Sequence, residues 1–363
     1  MFKNSYITSY CFNDENCKKQ LVSGRNVLFR SGDEFAILPH RIRLKLTDHN
    51  KQKLLALREF DVVEFYDHNL FDIFYQNSSN DNTLVITNQC NSNCIMCPCS
   101  SWFRKRQACE TTEHLCNLVK YIPQGAPHLT ITGGEPTLLK EGLFDVFDSI
   151  RENLPDTECL ILTNGRTLSN VPYFESLINH LPPKTLFGIP LYGPNASIHD
   201  SITQSNGSFF QTVQGLHNLQ QKGIPFELRF VETSINSMSF LETCVFIAQN
   251  FPKTTVVNII ALELTGSAYE NRNKVWIPYE KAFQNSRNGI KYLIKSGINV
   301  SFYNFPLCKV DRSYWQLCSK SITDYKIRYA EDCKDCELKT ICGGVFSSTL
   351  LATKMKLIPP KRI

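Results

Sequence analysis

Apolar positions along the chain recur at two periods. Leu115, Leu118, Val119 and Ile122 fall at i, i+3, i+4 and i+7, one face of a helix. Phe209, Val213, Leu216 and Leu219 also lie along one helical face, and Gly223 supplies a left-handed stop after them. Between such stretches lie short apolar runs that read as strands, beginning at Leu84, Leu129, Leu160, Leu186, Phe226 and Thr255. Six strands alternating with helices predict an α/β fold, a parallel sheet or barrel with helices outside. In such folds ligands collect at the carboxyl ends of the strands.

Residues 1–80 follow another pattern. Val27–Phe29 and Phe35–Leu38 read as strands joined at Gly32-Asp33, with a helical stretch near Gln52–Arg58. The polar run Asn77–Asn82 reads as a linker. This predicts a small N-terminal α+β domain over 1–80, a core over 81–300 and a cysteine-rich module over 301–363.

Composition narrows the function. At 363 residues and 42% hydrophobic, the chain can build a sizeable core. No apolar run approaches the ~18–20 residues of a membrane span. The first residues lack the charged-then-apolar pattern of a secretory signal, so a cytoplasmic location is expected. The net charge of +5 is dispersed, and Lys18-Lys19 and Arg104-Lys105-Arg106 read as solvated surface rather than a nucleic-acid stripe.

Cysteine changes the picture. There are 15, an odd number, and they cluster, which in a cytosolic chain favours metal over disulfides. The chemical motifs follow strands directly: Cys90, Cys94 and Cys97 come after Leu84–Thr87, Gly133-Gly134-Glu135-Pro136 after Leu129–Thr132, and Thr163-Asn164-Gly165 after Leu160–Leu162. Four thiolates saturate a 4Fe–4S cube, so three in a C-x3-C-x2-C loop leave one iron open. By spacing alone, a zinc knuckle or a set of core cysteines is the alternative. Two glycines let backbone approach a ligand closely, and Glu135 stands where it can receive an ammonium group. An ordinary tight turn is the alternative there.

In this order the motifs resemble the radical S-adenosylmethionine (SAM) superfamily. Thr87–Cys97 resembles its cluster-binding loop, and Gly133–Pro136 its SAM-amino motif. The resemblance implies a partial (β/α)6 TIM-like barrel. Its open iron would take the amino and carboxylate groups of SAM. Met96 stands where the family usually has an aromatic residue beside the adenine; an apolar contact is retained. Pro190–Gly193, His199-Asp200 and Gly207–Phe209 resemble the fourth strand and its loop in peptide-modifying members. Ser234–Asn236 resembles the end of the fifth strand and Ala261–Gly266 the sixth, so Asn164, Asn236 and Leu262 are expected beside the cofactor. His199 and Asp200 taken singly read as structural.

A second group, Cys333, Cys336 and Cys342, has C-x2-C-x5-C spacing and is followed by Gly343-Gly344. The residues alone allow zinc or another iron–sulfur cluster. The group resembles the SPASM or shorter twitch module that follows many radical SAM cores. A full module carries another cysteine four residues after Cys342; Phe346 stands there, so one auxiliary 4Fe–4S cluster is expected. Cys308 is the expected fourth ligand and Cys318 the alternative. Cys11, Cys17, Cys99, Cys109, Cys116, Cys159 and Cys244 show no pattern and read as small core residues.

The combination resembles the His-Xaa-Ser system radical SAM maturases, the C-type member of a paired set. Thr87–Cys97, Leu262–Ala268, Phe305–Cys308, Ser321–Asp324 and the terminal cysteine group carry the likeness. It implies reductive cleavage of SAM to a 5′-deoxyadenosyl radical and abstraction of hydrogen from a C–H bond of a ribosomally made His-Xaa-Ser repeat peptide. It implies an external one-electron donor of flavodoxin or ferredoxin type, and a second maturase as partner. Residues 1–80 would recognise a peptide at a sheet edge or simply pack. A radical SAM enzyme acting on a small molecule or tRNA, or a non-enzymatic iron–sulfur carrier, are the competing readings.

Overall fold

The N-terminal strands build a sheet of their own. The computed structural model describes residues 5–100, 102, 110–322 and 326–357; Arg104, Lys105, Arg106, Cys109, Thr323 and Asp324 lie outside the described residues. Contacts divide the chain into two units. One takes described residues within 1–87, 109–161 and 177–185, and the other those within 88–108, 162–176 and 186–363.

In the first unit, β1 (Tyr6–Cys11), β2 (Val27–Ser31), β3 (Glu34–Leu38), β4 (Ile42–Arg43), β5 (Val62–Asp67) and β6 (Leu70–Tyr75) pair in the order β4-β3-β2-β1-β5-β6. β2 and β3 form the expected hairpin, Val27 opposite Leu38 and Ser31 opposite Glu34, turning at Gly32 with φ +59°. β1 runs parallel to β2 because the helix Asp14–Val22 crosses between them. Asn13 starts that helix by accepting from the N–H groups of Glu15 and Asn16. Alternate residues of these strands, Tyr10, Leu28, Phe35, Ile37, Val63 and Phe65, bury a core closed by Leu54 and Leu57. Each such side chain contributes about 1.5–3 kcal/mol of transfer free energy. The helical stretch expected near Gln52–Arg58 runs from Asp48 to Leu55, because Thr47 caps it by accepting from Asn50 N–H.

The same unit contains β7 (Thr83–Val85), β8 (His128–Thr132) and nearly all of β9 (Glu158–Leu162), with β8 parallel to both neighbours. The helix Thr112–Tyr121 lies between β7 and β8 in the chain and buries Leu115, Leu118 and Val119, as its periodicity predicts.

The parallel sheet continues through β10 (Lys184–Pro190), β11 (Phe226–Glu232), β12 (Val257–Ala261), β13 (Val300–Tyr303) and β14 (Cys318–Ser319). Its order is β14-β13-β12-β11-β10-β9-β8-β7, so each strand adjoins its predecessor in the chain. Six strands were expected and eight form. β12 presents an edge that β13 satisfies, and two-residue β14 is too short to leave any pattern. The expected boundary at 300/301 falls inside β13.

One face of β11 carries Phe226, Leu228, Phe230 and Glu232, all buried. Phe230 packs on Phe240 of the helix Phe240–Asn250 at 4.7 Å between ring centroids. Glu232 accepts from Ser286 Oγ on the helix Tyr279–Lys295, and its Oε2 has no partner. Burial pushes its pKa up to about 8. An acid raised above its unfolded value of ~4.3 favours folding less as pH climbs from there toward 8. Glu232→Gln therefore gains stability relative to wild type across that window, by about 1–3 kcal/mol at pH 8, with little difference at pH 4.5. Urea denaturation at both pH values tests this; equal differences would contradict a protonated Glu232.

Candidate iron–sulfur and SAM site

Cys90, Cys94 and Cys97 lie on an irregular segment of the second unit whose backbone is held from outside. Asn93 N–H donates to Thr203 O and Ile95 N–H to Ile202 O, both at 2.9 Å. Asn271 Nδ2 donates to Ile95 O at 3.1 Å. Arg166 donates to the Asn91 carbonyl and, at 3.0 Å, to Ser92 Oγ. Asn164 Nδ2 donates to Asn91 Oδ1 at 2.6 Å, while its Oδ1 accepts from Arg166 N–H at 3.0 Å. Asn164 thus acts on the cysteine loop through Asn91. Within the loop, Ser92 N–H donates to Cys90 Sγ at 3.4 Å and Cys97 N–H to Cys94 O at 3.1 Å.

Tyr192 is buried, and its phenol is held well above its ordinary pKa first by that burial, then by Cys94 and Cys97 and, more weakly, by Cys90; Arg229 opposes the shift. Tyr192 N–H donates to His199 Nδ1 at 3.2 Å, which puts the ring proton on Nε2. Burial pushes His199 down to about 4, so the ring is neutral at pH 7. Asp200 caps the next helix, accepting from Gly207 N–H, Ser208 Oγ and Phe209 N–H at 2.7, 2.7 and 2.8 Å.

Asn236 is buried. Its Nδ2 donates to Tyr192 O and Val231 O, and its Oδ1 accepts from Thr233 N–H and Oγ1. That fills the bonding capacity of a carboxamide, so the side chain ties the ends of β10 and β11 together. Met96 packs in an apolar cluster with Leu262, Leu264, Ala268 and Tyr192.

The sequence reading did not single out Arg166 or Arg229. A lone loop arginine carries no signal beyond its neighbour Asn164. Arg229 did leave one: Glu227 and Arg229 alternate with apolar residues along β11, which puts both on the face opposite Leu228 and Phe230. There Arg229 pairs with Glu227 at 2.6 Å and lies over the Tyr303 ring at 5.6 Å.

In the first unit, the glycine motif fastens onto the end of the first core strand. Gly134 N–H donates to Thr87 O at 2.7 Å. A Cβ on Gly133, whose φ is +155°, would stand 2.3 Å from that oxygen. Buried Glu135 accepts at Oε1 from Thr137 N–H at 3.1 Å and Thr137 Oγ1 at 2.6 Å, starting a turn over Pro136–Leu139 in which Pro136 is also buried.

The second cysteine group surrounds a space. Cys308, Cys333, Cys336 and Cys342 all line one small cavity of about 20 Å³, alongside Leu307, Tyr329 and Leu338. Leu307 N–H and Gly344 N–H both donate to Cys342 Sγ at 3.4 Å. Cys318, on β14, lies near enough to Cys342 for its thiol to be affected but does not line the cavity. Burial pushes Cys308 and Cys318 up to about 12. A thiol held protonated in this way becomes a thiolate ligand when a cation binds. Among the described residues no three His, Cys, Asp or Glu side chains converge closely enough to hold a single metal ion. Four thiols around one space are a donor set that suits zinc or an iron–sulfur cluster. Of the unpatterned cysteines, Cys11, Cys17, Cys159 and Cys244 are buried, Cys116 is half-buried and Cys99 exposed.

Residues 84–240 match the sequence model of the Radical SAM superfamily. That superfamily is what this stretch of the chain is similar to. The chain is similar to the AdoMet-dependent heme synthase of Oleidesulfovibrio alaskensis, with 24% identity over 156 residues, 42% of this chain and 38% of the relative. It thus spans less than half of that curated relative. Among solved structures it is similar in fold to SuiB of Streptococcus suis bound to SAM, with 12% identity and a TM-score of 0.48, covering 69% of this chain and 53% of SuiB. It is also similar to anSMEcpe with bound AdoMet and Cp18Cys peptide, with 19% identity, a TM-score of 0.45, and coverage of 61% and 62%. Among the described residues no helix is long and apolar enough to cross a membrane.

Proposed function

We propose that the chain is a radical SAM enzyme that modifies a ribosomally made peptide, of the kind handled by the His-Xaa-Ser system maturases. The observation that carries the reading is the C-x3-C-x2-C loop of Cys90, Cys94 and Cys97, whose backbone is fixed by Arg166, Asn164 and Asn271. In this reading those three cysteines hold the catalytic 4Fe–4S cluster. Met96 and Leu262 give the adenine an apolar floor, and Gly133–Pro136 receives the amino group of SAM. When bound and reduced by an external flavodoxin- or ferredoxin-type donor, the cluster and SAM supply a hydrogen-abstracting 5′-deoxyadenosyl radical. The protein holds the cysteine loop through Arg166, Asn164 and Asn271 and packs Met96 against Leu262 and Leu264.

Cys308, Cys333, Cys336 and Cys342 hold one auxiliary cluster in a twitch-like module over 301–363. The core spans 81–300, and residues 1–80 recognise the peptide or pack on the core. A paired maturase is the expected partner.

Anaerobic reconstitution followed by dithionite reduction tests the reading. Wild type should convert SAM to 5′-deoxyadenosine and methionine, and a His-Xaa-Ser repeat peptide should change mass. No 5′-deoxyadenosine would sink the enzyme reading. 5′-Deoxyadenosine with an unaltered peptide would turn the substrate toward a small molecule or tRNA.

A further inference from the structure

A continuous bridge runs through the second unit from the C-terminal cysteine group to the loop of Cys97. β15 (Ile327–Arg328) and β16 (Val345–Phe346) form a small antiparallel pair. β16 follows Cys342 and Gly344 closely and leads directly into the helix Ser347–Thr353. That helix docks on the segment after β12. Thr349, fully buried, accepts at Oγ1 from Leu264 N–H at 2.9 Å. Ser348 Oγ donates to Glu263 Oε1 at 3.4 Å, and Tyr279 OH donates to Leu262 O at 3.3 Å. The docked segment then meets the cysteine loop. Gly266, at φ +51°, lies so close that a Cβ there would stand 2.2 Å from Pro98 O and 3.0 Å from Cys97 O. Ala268 N–H donates to Cys97 O at 3.4 Å, and Asn271 Nδ2 reaches Ile95 O.

We propose that residues 262–271 brace the backbone of Cys97, and that Thr349, through Leu264, is the positioning residue by which the C-terminal module sets that brace. The proposal rests on the reading of Cys90, Cys94 and Cys97 as the catalytic ligands. Thr349 touches no ligand; its hydroxyl satisfies the one backbone N–H that fixes the strand exit against the helix. Removing it leaves a buried donor without an acceptor. The segment then shifts, and because Gly266 and Pro98 are in backbone contact, Cys97 shifts with it. Packed elements transmit displacements of this kind because interiors are close-packed.

Two readouts separate the brace from plain structural support. The first needs no cluster: hydrogen exchange on the full chain, before and after reconstitution. Thr349→Val should speed amide exchange in both 262–271 and 94–98, leaving the sheet of residues 6–75 unchanged. The second is spectroscopic. The reduced catalytic cluster of Thr349→Val should give an altered electron paramagnetic resonance spectrum and bind SAM about 3–10-fold more weakly, with iron content as in wild type. Thr349→Ser, which restores the hydroxyl, should return both readouts to wild type. Should Thr349→Val fail to fold, Thr349→Cys, whose thiol is a weaker acceptor than a hydroxyl, supplies a milder form of the same change. Faster exchange confined to 262–266, or a wild-type spectrum and SAM affinity in Thr349→Val, overturns the proposal. Coupled exchange in a wild type that assembles no catalytic cluster would keep the brace and discard the catalytic reading.

Discussion

Alanine at Cys90, Cys94 and Cys97 together halves the iron of the reconstituted protein, from about eight atoms per chain to about four, and abolishes SAM cleavage. The halving follows from the separation of the two sulfur sets. Cys90, Cys94 and Cys97 share one loop, whereas Cys308, Cys333, Cys336 and Cys342 line a cavity of their own. Cys336→Ala gives the reciprocal result, about four irons with 5′-deoxyadenosine still formed. Cys308→Ala and Cys318→Ala separate the two expectations for the fourth auxiliary ligand: the first loses the second cluster, and the second keeps it, because Cys318 stands outside the cavity. Iron and sulfide analysis with chromatography of the nucleoside products checks all four variants. Unchanged iron in the triple variant would assign the sulfurs elsewhere.

Gly133→Ala is the second large effect. Its methyl group would meet Thr87 O at 2.3 Å and Thr87 N at 3.0 Å, backbone atoms that cannot rotate away, and φ +155° is unfavourable for an L side chain. A cost of about 2–4 kcal/mol is expected, lowering Tm by about 4–16 °C at 2–4 °C per kcal/mol. Gly125→Ala is the matched control. No atom lies within 4 Å of a Cβ there, and its change should stay within about 0.5 kcal/mol. Because Gly133 abuts the residue that leads into the cysteine loop, Gly133→Ala should also weaken SAM binding at temperatures where it is folded. Calorimetry with SAM titration measures both, and a neutral Gly133→Ala would remove the close-approach argument for the motif.

Much of this was legible in the chain. A strand followed at once by a cysteine loop or a glycine turn is a local pattern, and local patterns survive in sequence. Leu115, Leu118 and Val119 announce their helix because each faces the same core. β13 and β14 were missed because short strands are specified by the edge they join, not by their own residues. Arg166 and Thr349 were missed for a related reason. Each matters through long-range hydrogen bonds, Arg166 to Asn91 and Ser92 and Thr349 to Leu264, and nothing in the flanking residues encodes partners 74 to 85 positions away. Asn236 was legible as a position but not as a role: its bonds to Val231 and Thr233 are local, but the one to Tyr192 O is visible only once β10 and β11 lie side by side.

The sheet adds its strands in chain order, and this has a consequence in time. Cys90, Cys94 and Cys97 leave the ribosome early, but the residues that hold their loop come later: Arg166, Tyr192, Thr203, Gly266 and lastly Asn271. At ~5–20 residues per second, synthesis from residue 97 to 271 takes roughly 10–35 s. Through that interval the loop lacks the hydrogen bonds that hold it, and its thiols are open to oxygen and stray metal. Yield of the intact first cluster should therefore respond to oxygen during translation more than to oxygen met by the finished chain.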